Sequence, residues 1–149
     1  SLGGDGLAQV SGDAVLSANY LLTKLKDTLS ASFEGPCMHE ALFDDRFLEG
    51  TGVTTLDFAK ALIDQGFHPM TMYFPLVVHG ALLIEPTETE SKETLDLFVK
   101  TMTEMAAKAK AGDVAFFTEA PKLTPRRRLD ETLAARKPIL VWKSDSEQD

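Results

Sequence analysis

Between Leu7 and Leu29, apolar side chains recur at steps of three or four: Leu7, Val10, Ala14, Ala18, Leu21, Leu25 and Leu29. That period predicts a helix with one apolar stripe, which needs another element to cover it. A second stripe, Leu95, Phe98, Val99, Met102, Met105 and Ala109, predicts a helix from near Glu88 to about Lys110, ended by Gly112. The stretch between them supports no third helix of that length. It holds a shorter one after Thr54, with Asp57 in its first turn, Leu56, Ala59, Leu62 and Ile63 inward and Gly66 as its stop. Cys37–Phe43, Met70–Phe74 and Ala81–Glu85 read as strands, the latter two around Pro75 and Gly80. The order helix, strand, helix, strands, long helix predicts an α+β domain with a small sheet covered by helices on one face.

Residues 1–30 are expected to form a connecting helix, 31–120 a small α+β domain, and 121–149 an extended tail whose Pro138–Trp142 run docks on the core. At 149 residues, one core is expected. Fifteen Lys and Arg against 23 Asp and Glu leave a net charge of −8, which disfavours nucleic acid and anionic membranes. No window approaches the roughly 20 apolar residues of a membrane span. The single cysteine, Cys37, leaves no internal disulfide and fits a reducing compartment. The chain begins at Ser1 with no signal-like pattern, and is expected to be cut from something longer.

Few residues carry recognisable chemistry. Cys37 and His39 would share one face of a strand, but a metal site wants more ligands, so a packed thiol is favoured. Glu85, Glu88, Glu90 and Glu93 bracket a helix start; capping at Thr87 and Glu90 and the helix dipole account for them without a cation. Glu85-Pro86-Thr87-Glu88 joins a strand end to a helix start, where side chains are delivered to a cleft. Spacing alone leaves open whether that turn is functional or only structural. His68, held extended before Pro69, is a general-base candidate, although an exposed loop histidine is the commoner case. His79 is given no role. Arg126-Arg127-Arg128 could clamp an anion, but pairing with Asp130 and Glu131 is favoured.

Longer motifs go further. Pro36-Cys37-Met38-His39-Glu40, Thr51–Lys60, Gly66-Phe67-His68-Pro69, Tyr73-Phe74-Pro75-Leu76, Ile84–Asp96, Thr124–Glu131 and Ala134–Pro138 closely resemble one family. It is the C-terminal region of glycine dehydrogenase (decarboxylating), the P-protein of the glycine cleavage system, most like subunit 2 of the split bacterial form. Gly3–Leu7 and Ala14–Leu21 are similar to the helix joining that family's large and small domains. The resemblance runs from Leu2 to about Trp142.

It implies the small C-terminal domain of an aspartate-aminotransferase-like (fold type I) pyridoxal phosphate enzyme, cytoplasmic and bacterial. The implied reaction decarboxylates glycine and passes the aminomethyl group to the lipoyl arm of H-protein. The implied partners are the large domain of the same polypeptide, subunit 1 and lipoylated H-protein. This chain departs from an active enzyme in one respect: the family's Schiff-base lysine follows a histidine, and no His-Lys pair occurs here. The chain is therefore expected to bind no cofactor by itself and to close the cleft, with no catalytic residue of its own. Its substrate-channel candidates are His68, Glu85, Thr87 and Glu88, then His39 and Glu40. The alternatives are the small domain of another fold type I enzyme and a free-standing interaction module. Without its large domain, the Leu7–Leu29 flank is expected to drive self-association.

Overall fold

The computed structural model describes residues 2–142 and 144. Helix α1 (Gly3–Leu25) leads to strand β1 (Ser30–Ala31), then β2 (Ala41–Asp44) and a 3-10 turn over Asp45–Leu48. Helix α2 (Thr55–Asp64) is followed by β3 (Thr71–Met72) and β4 (Leu82–Ile84), then α3 (Lys92–Lys110), α4 (Val114–Thr118) and α5 (Glu131–Arg136). The strands form one antiparallel sheet in the order β1-β2-β4-β3. Among the described residues no helix is long and apolar enough to cross a membrane.

Strand periodicity sorts the sheet into two faces. Ala41, Phe43, Leu82 and Ile84 are buried, whereas Leu42, Asp44 and Leu83 are half-buried. The buried face meets Leu21 and Leu25 of α1, Leu95, Met102 and Met105 of α3, and Phe58 and Leu62 of α2 in one core. The stripe of α3 packs as its period requires. That of α1 does so only in its C-terminal half: Ala18, Leu21, Leu25 and Leu29 are buried, but Leu7 is 59% exposed. The helix ends at Leu25, and a turn carries the chain to Leu29 (Leu29 N–H to Leu25 O, 2.7 Å).

Helix α2 starts where Thr54 predicts it. The Thr54 hydroxyl oxygen accepts from Asp57 N–H, and the Asp57 carboxylate accepts from Thr54 N–H, a reciprocal capping box. Its buried face is Thr55, Phe58, Ala59, Ala61 and Leu62, rotated from the expected one, with Leu56 and Ile63 only half-buried. The rotation follows from aromatic packing. Phe58 stacks on Phe117 of α4 at 5.7 Å between centroids and meets Phe47 of the 3-10 turn edge-on at 5.3 Å.

Four further expectations need correction. Cys37 to Glu40 lie outside β2, because pairing begins only at Ala41, opposite Ile84. The third helix starts at Lys92, not near Glu88: Thr87 to Glu90 first form a turn (Glu90 N–H to Thr87 O, 3.3 Å), and Ser91 caps the helix by accepting from Thr94 N–H. The tail is not simply extended, since Asp130 caps the short α5. Its Pro138–Trp142 run does not dock, with Ile139, Leu140, Val141 and Trp142 each at least 69% exposed.

Candidate functional site

A groove of about 360 Å³ opens at one end of the sheet. Its floor is apolar, from Leu21 of α1, Met70 and Ile84 of the strand ends, and Leu95 and Phe98 of α3. Its rim carries His68, Thr71, Glu85, Thr87, Glu90 and Thr94.

Local sequence builds each wall. At the end of α2, Gly66 takes φ +84°, where a side chain would be strained. Gly66 N–H bonds to Ile63 O and Phe67 N–H to Leu62 O, the paired bonds of a Schellman stop. The chain turns, Phe67 packs edge-on against Phe98 at 5.2 Å, and His68 emerges exposed on the rim. Across the groove, β4 ends at Ile84, Glu85 points into solvent and Pro86 is buried, anchoring the turn that presents Thr87. The Thr87 and Thr89 hydroxyls lie 2.8 Å apart.

The predicted positions divide accordingly. His68, Glu85 and Thr87 share the groove, His68 from the loop after α2 and Glu85 and Thr87 from the turn after β4. Glu88 is exposed in the turn outside the lining, and Glu90 occupies the rim instead. His39 and Glu40 are not in the lining, yet the Ala41–Ile84 pairing places them at the same sheet end as Glu85. Among the described residues no three His, Cys, Asp or Glu side chains are placed to hold a metal ion.

Two residues outside this set matter as much. Arg128 does not pair with Asp130 or Glu131. It reaches Asp57 at 2.7 Å and donates to Ala120 O (2.7 Å) and Phe117 O (2.9 Å), tying the tail to the ends of α2 and α4. Burial alone would raise the Asp57 pKa, but the Thr54 hydroxyl and N–H and the Arg128 guanidinium hold it below the usual carboxylate range. At the other end of α2, the Asp64 carboxylate accepts from Lys122 and Leu123 N–H at 2.6 and 2.8 Å. Asn19 is the second missed residue: both backbone polar groups of Cys37 bond to its side chain. Neither contact leaves a periodic or local signal in the sequence.

Burial also pushes the Cys37 thiol pKa up, against a smaller lowering by a backbone hydrogen bond, which favours an unreactive thiol. On the far end of the sheet His79 meets Asp45 at 3.0 Å, and that carboxylate raises the His79 pKa.

The described residues form a small α+β domain whose groove joins an apolar floor to a polar rim, with no Lys or Arg in the lining. Residues 10–120 match the family described as glycine dehydrogenase, C-terminal domain, and the chain belongs to that family. Relatives named probable glycine dehydrogenase (decarboxylating) subunit 2 cover nearly all of it. The Caulobacter vibrioides protein is 69% identical over 96% of this chain, and those of Caldanaerobacter subterraneus subsp. tengcongensis and Exiguobacterium sibiricum are 51% and 49% identical over 95% and 99%. The chain spans 28–30% of the length of these relatives. The lining of this groove does not suit pyridoxal phosphate, because the phosphate would face Glu85 and Glu90 with no Lys or Arg beside it.

Proposed function

We propose that this chain is the cleft-closing C-terminal domain of subunit 2 of a glycine-decarboxylating enzyme that passes the aminomethyl group to the lipoyl arm of H-protein. The observation that carries this reading is the coincidence of the family match with a groove assembled from the motif residues His68, Glu85 and Thr87. On this reading the domain has the small-domain role of a cytoplasmic fold type I enzyme. Its partners are the large domain of the same polypeptide, subunit 1 and lipoylated H-protein. Pyridoxal phosphate, held by the large domain, supplies the electron sink for decarboxylation.

The residues of this chain do the positioning. Leu21, Leu95 and Phe98 supply an apolar floor. Glu85 and Thr87, mounted on the buried Pro86, and His68, mounted on the Schellman turn, fix polar atoms at the rim. Rigid mounting matters because misplacement by about 1 Å can cost on the order of a hundredfold in rate. His39 and Glu40, at the same sheet end, complete the channel in a secondary role.

The test is His68→Ala and Glu85→Gln in the full-length subunit paired with subunit 1, with Glu88→Gln as the comparison outside the lining. Glycine–bicarbonate exchange with H-protein should fall by about tenfold or more in the first two, at unchanged melting temperature. If both keep wild-type exchange, the groove is not part of the channel.

A further inference from the structure

Three consecutive residues of α1 reach three different neighbours, as side chains 100° apart on a helix must. Leu21 forms groove floor. The Tyr20 hydroxyl donates to Asp96 of α3, whose other oxygen accepts from Lys92 at 2.6 Å. Asn19 reaches the loop between β1 and β2, the loop that carries His39 and Glu40.

Apart from the packing of Cys37 against the core, that loop has little else to hold it. Phe33 to Pro36, Met38 and His39 are exposed, and Gly35 lies at φ +88°. Among the described residues, the hydrogen bonds found between Phe33 and His39 and the rest of the fold run to the Asn19 side chain. Asn19 Oδ1 accepts from Cys37 N–H at 2.9 Å, and Asn19 Nδ2 donates to Cys37 O at 2.7 Å and to Val15 O at 2.8 Å. The primary amide therefore meets the Cys37 peptide groups as a neighbouring strand would. Aspartate could replace only the acceptor half, and a hydrocarbon neither.

We propose that Asn19 is a positioning residue that latches the Cys37 loop to α1, so that His39 and Glu40 are set from one side by α1, through Cys37, and from the other by the sheet, through Ala41. The inference rests on the cleft-closing reading and deepens it. A tilt of α1 moves the groove floor through Leu21 and, through Asn19, the loop at the same sheet end. Helix and site loop then shift as one body. The latch sits on the half of α1 that is packed; the half before it, from Gly3 to Asp13, is mostly exposed.

The experiment compares Asn19→Asp and Asn19→Leu with wild type, using Cys37 as the built-in reporter. Thiol modification of Cys37 by an aromatic disulfide reagent and hydrogen exchange at its amide should both rise about tenfold or more in Asn19→Leu, the size expected for losing both hydrogen bonds to Cys37, each of modest net worth. Asn19→Asp should fall between, and the Phe43 and Leu82 amides should exchange as in wild type. Unchanged Cys37 in both variants overturns the latch; an equal rise at Cys37, Phe43 and Leu82 overturns it too, as a general loss of stability. The same variants are then placed in the full-length subunit with subunit 1 and H-protein. A fall in kcat with little change in KM for glycine supports positioning. Wild-type exchange despite a loosened Cys37 refutes it. If His68→Ala and Glu85→Gln are also silent in that assay, the fault lies with the cleft-closing reading, because the loosened Cys37 shows the latch independently.

Discussion

Replacing Arg128 by methionine keeps most of the aliphatic stem and removes the guanidinium. Three contacts go with it: Asp57 at 2.7 Å, Ala120 O at 2.7 Å and Phe117 O at 2.9 Å. Hydrogen bonds to charged groups are worth about 1.5–3 kcal/mol each, but they are not additive and solvent screening reduces them. The Arg128 side chain is 34% exposed while that of Asp57 is 12% exposed, so the pair is screened on one side only. Asp57 also keeps its two bonds from Thr54, which limits the penalty of leaving it behind. The net loss should be about 2–3 kcal/mol, or roughly 5–10 °C in melting temperature for a domain of this size.

The assay is thermal and urea unfolding of wild type, Arg128→Met, Asp57→Asn and the double variant, followed by circular dichroism. The double-variant cycle should return a coupling of about 1–2 kcal/mol. The pH dependence has a fixed sign. The folded Asp57 pKa lies below its unfolded value near 3.9, so its stabilisation is present at neutral pH and is lost as pH falls from about 5 through the folded value. The gap between wild type and Asp57→Asn should close over that window. A loss under about 0.5 kcal/mol for Arg128→Met, the usual result at an uninvolved surface position, would refute the idea that the tail is clamped there.

Gly80→Ala should destabilise by about 2 kcal/mol or more, measured by urea unfolding. Gly80 lies at φ +57°, and an added Cβ would fall 2.1 Å from Asp45 Cγ. The chain alone, mixed with pyridoxal phosphate and reduced with borohydride, should give no stoichiometric adduct at a single lysine by mass spectrometry, since no lysine lines the groove. Leu7, on the apolar flank of the first helix, is 59% exposed, so light scattering should show concentration-dependent association that Leu7→Glu weakens. A monomer at all concentrations would count against it.

The parts of this fold that the sequence discloses are those whose cause is local. The α3 stripe and the Thr54–Asp57 box each need only neighbours a turn away, and the Glu85-Pro86-Thr87 corner needs only a strand end and a proline. Where two local signals compete, the sequence cannot rank them: Thr87 and Ser91 both precede a helix at capping distance, and the turn over Thr87–Glu90 decides for Ser91. What stays hidden is set by distant partners. Phe47 and Phe117 lie in elements too short to show a period, and both are buried because Phe58 sits between them. Arg128 was the one arginine of its triplet with a buried destination, yet nothing adjacent marks it from Arg126 or Arg127. The groove divides in the same way. His68 and Glu85 are legible from the proline beside each, whereas Asn19, mid-helix and unremarkable in sequence, acquires its role only when the loop arrives to place both Cys37 peptide groups on its amide. A side chain whose function is to hold someone else's backbone leaves its signature in the fold and none in the local chain.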